Sequence, residues 1–235
     1  MERWIDGKVE RNNSSFLFPN SLLNNGGDIM IGIDDANFIR GKVPMTKEEI
    51  RILTLAKAKI GEKDFVVDVG AGTGSLSIEA AKLAKQGYVF AIEKNPSAVD
   101  LISQNAEKFD VDNIVIINAE APEGLRNVSR IDVAIIGGSG GKIEEILDKI
   151  DLKLKIGGRI VCNFITVQSM SACLAWLKNH SDYSYEAIQV QITKLEFVGG
   201  YDMYKAQNPV HIVTAEKFLR SRTKNVIKVA FCGQR

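Results

Sequence analysis

From residue 64 onward the chain alternates between two hydrophobic patterns. Nearly continuous apolar runs, DFVVDVG (64–70), YVFAIEKN (88–95), NIVIINAEA (113–121), IDVAIIGG (131–138) and GGRIVCNFI (157–165), read as strands. Among them, GSLSIEAAKLAKQ (74–86), PSAVDLISQNAEKF (96–109), GKIEEILDKI (141–150) and VQSMSACLAWLKN (167–179) space their apolar residues as amphipathic helices do. Strands without polar alternation are buried on both faces, so the pattern predicts an α/β fold with a parallel sheet between two helix layers. Upstream, PMTKEEIRILTLAKAKI (44–60) carries a capping box, Thr46 with Glu49, and predicts the first helix. Downstream, SYEAIQVQITKLEFV (184–198) and NPVHIVTAEK (208–217) predict two strands with no helix between them, a hairpin or antiparallel edge.

Outside this alternation the pattern fades. Residues 1–29 are rich in Asn, Ser and Gly and predict an N-terminal arm, in which Phe16, Leu17, Phe18, Leu22 and Leu23 would cover a hydrophobic surface of the domain or of a neighbouring subunit. One domain then spans 30–216, and the basic stretch 217–235 predicts a surface appendage.

Composition narrows the function classes. A length of 235 residues with 45% hydrophobic content suits one domain with a full core, and 30 basic against 29 acidic residues give no overall field toward nucleic acid or an acidic membrane. Cys162, Cys173 and Cys232 lie far apart without CxxC spacing, and His180 and His211 form no ligand pattern with them, so no metal site and a reducing cytoplasm are expected. No apolar run approaches the roughly 20 residues of a membrane helix.

The chemistry concentrates in VVDVGAGTGS (66–75), where Gly70, Gly72 and Gly74 sit between a strand and a helix. Such a turn lets backbone approach a ligand and offers the free N–H groups of a helix N-terminus. Its spacing is G-x-G-x-G; the dinucleotide fingerprint would place a third glycine where Ser75 stands. Asp68, just before the turn, would repel a pyrophosphate and welcome an ammonium group. Glu93 closes the next strand, at about the 20-residue distance where an acid accepts hydrogen bonds from a ribose. A ribose and a cationic amino group describe S-adenosylmethionine.

VDVGAGTGS, AIEKN, AEAPE and LKIGGRIV together resemble the signature segments of Rossmann-like S-adenosylmethionine-dependent methyltransferases, over roughly residues 46 to 216. That resemblance implies a doubly wound seven-stranded sheet, mostly parallel with an antiparallel final strand. It implies cofactor contacts from Gly70, Ala71, Gly72, Thr73 and Gly74, with Glu93 at the ribose and Glu120 with Ala121 at the adenine. GIDDANFIRGKVPMTKEEIR (32–51) and DVAIIGGSGGKIEEIL (132–147) are similar to segments of the cobalamin-pathway enzymes that methylate carbon 15 of a precorrin and decarboxylate its acetate side chain. By that likeness Thr46 also touches the cofactor, the substrate is a tetrapyrrole, with or without cobalt, and the enzyme is a homotetramer.

A tetrapyrrole bearing many carboxylates needs local cations and backbone donors. Arg40, Lys42 and Lys47 could supply the former, although Arg40 and Lys42 beside Asp34 and Asp35 also fit a solvated loop. Gly137, Gly138, Ser139 and Gly140 could supply the latter at the carboxyl edge of the sheet, where ligands of such folds bind. Asn163 and Thr166 follow the fifth strand at that edge; Cys162, His211 and Trp176 read as packing residues. A tRNA methyltransferase of similar fold would share Thr46, the glycine turn and Glu93, but would call for a basic track. A non-enzymatic scaffold of this fold would not require the whole cofactor set.

Overall fold

The structure, a computed structural model, describes residues 31–219. The arm, including its apolar residues 16–23, residues 220–235 of the appendage, and Cys232 lie outside them. Residue 31 opens an entry segment that runs to α1 (Glu48–Ala58). There follow β1 (Phe65–Val69), α2 (Ser75–Leu83), β2 (Tyr88–Glu93), α3 (Pro96–Lys108) and β3 (Ile114–Asn118). The second half holds β4 (Ile131–Ile136), α4 (Ile143–Asp151), β5 (Leu154–Phe164), α5 (Val167–Asn179), β6 (Tyr183–Val190), β7 (Thr193–Val198), β8 (Tyr201–Ala206) and β9 (Val210–Lys217).

Seven strands form one sheet in the order β3-β2-β1-β4-β5-β9-β6, parallel except for β9, which runs antiparallel to both β5 and β6. The strand order reverses between β1 and β4, which opens a crevice at their carboxyl ends. Alternation along β1 shows why the sheet needs two helix layers. Val67 and Val69 pack with Leu147, Trp176 and Leu177 of α4 and α5, whereas Val66 packs with Leu55 and Leu76 of α1 and α2. Trp176 is a core residue, its indole N–H donating to Asp148 at 2.7 Å, and Cys162 and Cys173 are buried thiols. His211 lies in β9 opposite Phe164. Among the described residues, no helix is long and apolar enough to cross a membrane.

Two expectations change. The capping box does not form: Lys47 occupies the N-cap of α1 without a side-chain bond, and Glu49 instead pairs with Lys194 at 2.6 Å. SYEAIQVQITKLEFV is two strands, not one. The chain leaves the sheet after Val190, and β7 pairs with β8, an additional strand, as a separate two-stranded hairpin. The cause is local. Gly199 and Gly200 have φ of 59° and 91°, the positive angles required by a two-residue turn whose twist matches its flanking strands. At the other end, the Gln191 side chain donates to the Gln207 carbonyl at 2.6 Å and the Gln207 amide to the Ile192 carbonyl at 2.9 Å.

Candidate active site

The glycine turn joins β1 to α2 at the crevice. Gly70, Gly72 and Gly74 have φ of 73°, 57° and 79°. A Cβ on Gly70 would lie 2.8 Å from backbone atoms of Gly138, and one on Gly72 would lie 2.9 Å from the Pro44 carbonyl oxygen. These two glycines therefore admit other protein segments, the loop after β4 and the entry segment, against the turn. The sequence pattern identified the need for close approach but assigned it to a ligand. The Gly72 amide donates to one Glu93 carboxylate oxygen at 3.0 Å, and the Asn95 amide to the other at 2.9 Å. Glu93 is thus fixed beside the turn, with lone pairs left to accept further bonds.

Asp68 lies beneath the turn, buried, with Oδ2 accepting from the Ser77 hydroxyl at 2.6 Å and Oδ1 lacking any partner. Burial pushes its pKa up to about 6, against the lowering effect of Ser77, and the Glu93 charge adds to the rise. Thr73 Oγ1 is a second buried polar atom without a partner. Gly74 is the N-cap of α2.

A cavity of about 920 Å³ lies over the turn. Its lining brings together Thr46, Gly70, Ala71, Gly72, Glu93, Glu120 and Ala121 with Gly137, Gly138, Ser139, Gly140 and Asn163. Asp68, Thr73 and Gly74 are not in the lining. Nor are Arg40 and Lys42, which are exposed just ahead of Val43, the first of a run of entry-segment residues that is. Asp35 is engaged by Arg51 and Lys47 at 3.1 and 3.6 Å. Thr166 caps α5 and borders a smaller cavity of about 180 Å³ beside the loop after β4.

The backbone donors expected from that loop are partly consumed, since the Gly137 and Gly138 amides both donate to the Val69 carbonyl, at 3.0 and 3.2 Å. Glu120 receives Lys94 at 3.1 Å and Lys142 at 2.9 Å, which ties the ends of β2 and β3 to the loop; these lysines, Lys142 foremost, hold its carboxyl below the usual range. Asn163 pairs with Thr54 of α1, its amide donating to the hydroxyl at 3.0 Å.

Sequence reasoning missed how the entry segment is held. Arg51 is fully buried: Nε meets Glu79 at 2.5 Å, Nη1 donates to the Thr46 carbonyl at 2.7 Å, and Nη2 donates to the Ile33 carbonyl. Glu79 also accepts the Gly32 and Ile33 amides at 2.9 and 3.1 Å. Asn105 forms a second clasp, accepting from the Ile39 amide at 2.8 Å and donating to the carbonyls of Ile39 at 3.1 Å and Thr73 at 2.9 Å. The first clasp places Thr46 and the second links the segment to the glycine turn. Also missed was the far wall, where the hairpin contributes Lys194, Glu196, Lys205 and Ala206 to the cavity. Its Gly-Gly pair between two β-rich runs was the available signal.

Comparisons with known proteins agree with this geometry. A family model described as a precorrin methyltransferase domain matches residues 37–217. A probable cobalt-precorrin-6B C(15)-methyltransferase (decarboxylating) of Sulfurisphaera tokodaii is 45% identical over 190 residues, 79% of this chain and 97% of that protein. The corresponding Salmonella typhimurium protein is 38% identical over 184 residues, 78% and 95% of the two chains. The crystal structure of a precorrin-6Y C5,15-methyltransferase from Geobacter metallireducens superimposes with a TM-score of 0.75 at 39% identity, covering 81% of this chain and all of that one (100%). With the glycine turn, Glu93 and the reversed strand order all inside the matched span, the chain belongs to the precorrin methyltransferase family.

Proposed function

We propose that this chain is an S-adenosylmethionine-dependent C-methyltransferase that methylates carbon 15 of a precorrin, cobalt-precorrin-6B or its metal-free counterpart, and releases the ring C acetate carboxylate as carbon dioxide. The observation that carries the reading is the single cavity of about 920 Å³ that contains both the glycine turn with Glu93 and the wall formed by the entry segment and hairpin. Cofactor and substrate sites of this kind reach about 1,000 Å³.

The residues at the turn fit the cofactor. Glu93 is held by two amides and keeps acceptor capacity for a ribose diol, while Asp68, beneath the turn and outside the cavity lining, contributes an acidic group behind it. When bound, S-adenosylmethionine supplies an electrophilic methyl group on a sulfonium. The task of the protein is then positioning and exclusion of water. Val43, Pro44, Met45, Ile50 and Ile165 give the cavity apolar walls, and the Arg51 clasp holds Thr46 in place. With the cofactor bound, carbon 15 would provide the electron pair for the new bond while the methyl–sulfur bond breaks and leaves its pair on sulfur. The electron-poor ring would then take up the pair released as the acetate C–C bond breaks, and a proton would complete the methyl group left behind.

In this reading the enzyme is a cytoplasmic homotetramer with no nucleic-acid partner. Two free buried cysteines suit a reducing compartment. The outward hairpin face, with Leu195, Phe197 and Tyr204 exposed at 62%, 64% and 81%, is the kind of apolar patch that subunits cover. Calorimetric titration with S-adenosylmethionine, with Glu93→Ala in parallel and light scattering on the same sample, tests the reading. Micromolar binding lost in the variant, on a particle of four chains, is expected; no binding by the wild type would overturn it.

A further inference from the structure

Among the described residues the β7–β8 hairpin contributes nothing to the core: every residue of both strands is exposed, and the hairpin pairs with no other strand. It nevertheless walls the cavity. Its register sets Lys194 directly opposite Lys205, so both amino groups project from the same face, as do Glu196 and Met203 two pairs further on. Like charges directly opposite each other on a sheet repel, and a hairpin without a core role has no structural need of them. In this structure Lys194 rests on Glu49 at 2.6 Å and Lys205 on Glu196 at 2.9 Å. The lysines are exposed at 46% and 67%, with Glu196 exposed and Glu49 half-buried, and an exposed lysine exchanges carboxylate partners at little cost.

The hairpin also stands at the right place. It leaves the carboxyl edge after β6 and returns through β9, four strand positions from β2 in the sheet order. At about 4.8 Å per strand that is about 19 Å from the strand that carries Glu93. The root of the hairpin therefore lies well away from Glu93, while both border the same cavity.

We propose that Lys194 and Lys205 form a paired cation site that receives peripheral carboxylates of the tetrapyrrole, releasing Glu49 and Glu196 as it does so. The proposal rests on the tetrapyrrole reading, and adds to it the residues that recognise the acid side chains.

The probes are cobyrinic acid, a corrinoid bearing seven free carboxylates, and its uncharged heptamethyl ester, with binding followed by calorimetry at two salt concentrations. The expected result is that Lys194→Ala/Lys205→Ala weakens binding of the acid at least tenfold and flattens its salt dependence. S-adenosylmethionine affinity and melting temperature should be unchanged, and Lys194→Arg/Lys205→Arg should bind near the wild-type level. Wild-type affinity in the double alanine variant, or equal affinity of the wild type for acid and ester, would overturn the cation site and leave the assigned reaction standing. A wild type that binds S-adenosylmethionine but neither corrinoid would overturn the tetrapyrrole reading and the cation site together.

Discussion

Replacing Arg51 with Met tests whether the entry segment is held by the buried clasp. Methionine retains much of the aliphatic volume and removes every donor. It leaves Glu79, only 2% exposed, without its guanidinium, and it frees the carbonyls of Ile33 and Thr46. Breaking a buried ion pair by removing one partner costs about 3–5 kcal/mol. Glu79 keeps the Gly32 and Ile33 amides, which places the expectation at the lower end, about 3 kcal/mol. At roughly 2–4 °C per kcal/mol for a domain of this size, the melting temperature should fall by about 6–12 °C. Urea unfolding of Arg51→Met, Glu79→Gln and the double variant gives the coupling directly, and the double variant should lose less than the sum of the two singles. Well below its melting temperature, Arg51→Met should also bind S-adenosylmethionine about tenfold more weakly, equivalent to about 1.4 kcal/mol, because Thr46 and Pro44 are no longer held against the turn. A loss of stability under about 1 kcal/mol, with additive singles, would refute the reasoning.

Other consequences follow from the same geometry. Asp68 has a folded pKa of about 6 against a reference of 3.8, so the folded state binds its proton more tightly than the unfolded state does. Its contribution is therefore full below the reference value and is lost as pH rises toward 6, a decline of about 3 kcal/mol from a shift of about two units. Wild type minus Asp68→Asn, measured by denaturation across pH 3.5 to 7, should show that slope, and a flat difference would contradict it. Gly72→Ala places a side chain at φ of 57° and 2.9 Å from the Pro44 carbonyl, so it should destabilise the fold by more than 1 kcal/mol and abolish cofactor binding in calorimetry. Asn105→Ala, which removes the bonds to Ile39 and Thr73, should speed amide exchange at Ile39 and cost about 1–3 kcal/mol in urea.

The central sheet was legible because burial on both faces leaves an apolar run with no polar alternation, as in IDVAII, where every residue is buried. Glu93 was legible because its distance from the turn follows from one βαβ unit. The clasps were not, since Arg51, Glu79 and Asn105 occupy helix positions where charged and polar residues ordinarily face water, and only the tertiary packing buries them. Of the three entry-segment cations Arg40, Lys42 and Lys47, Lys47 alone lines the cavity, where the hairpin adds Lys194 and Lys205. Charge along the sequence does not reveal which side of a loop faces a cavity. The β7–β8 hairpin was hidden because the alternation of SYEAIQVQITKLEFV runs on from β6 into β7 without a break, leaving only the Gly199-Gly200 turn as a mark.

The most direct measurement is single-turnover reaction of the wild type and Glu93→Ala with methyl-labelled S-adenosylmethionine and cobalt-precorrin-6B, repeated with the metal-free tetrapyrrole, the product being followed by mass. The account predicts that the wild type converts at least one of them to a product that has gained the labelled methyl and lost one carbon dioxide, and that the variant does not. Labelled cofactor bound by the wild type but methyl transferred to neither tetrapyrrole would contradict it.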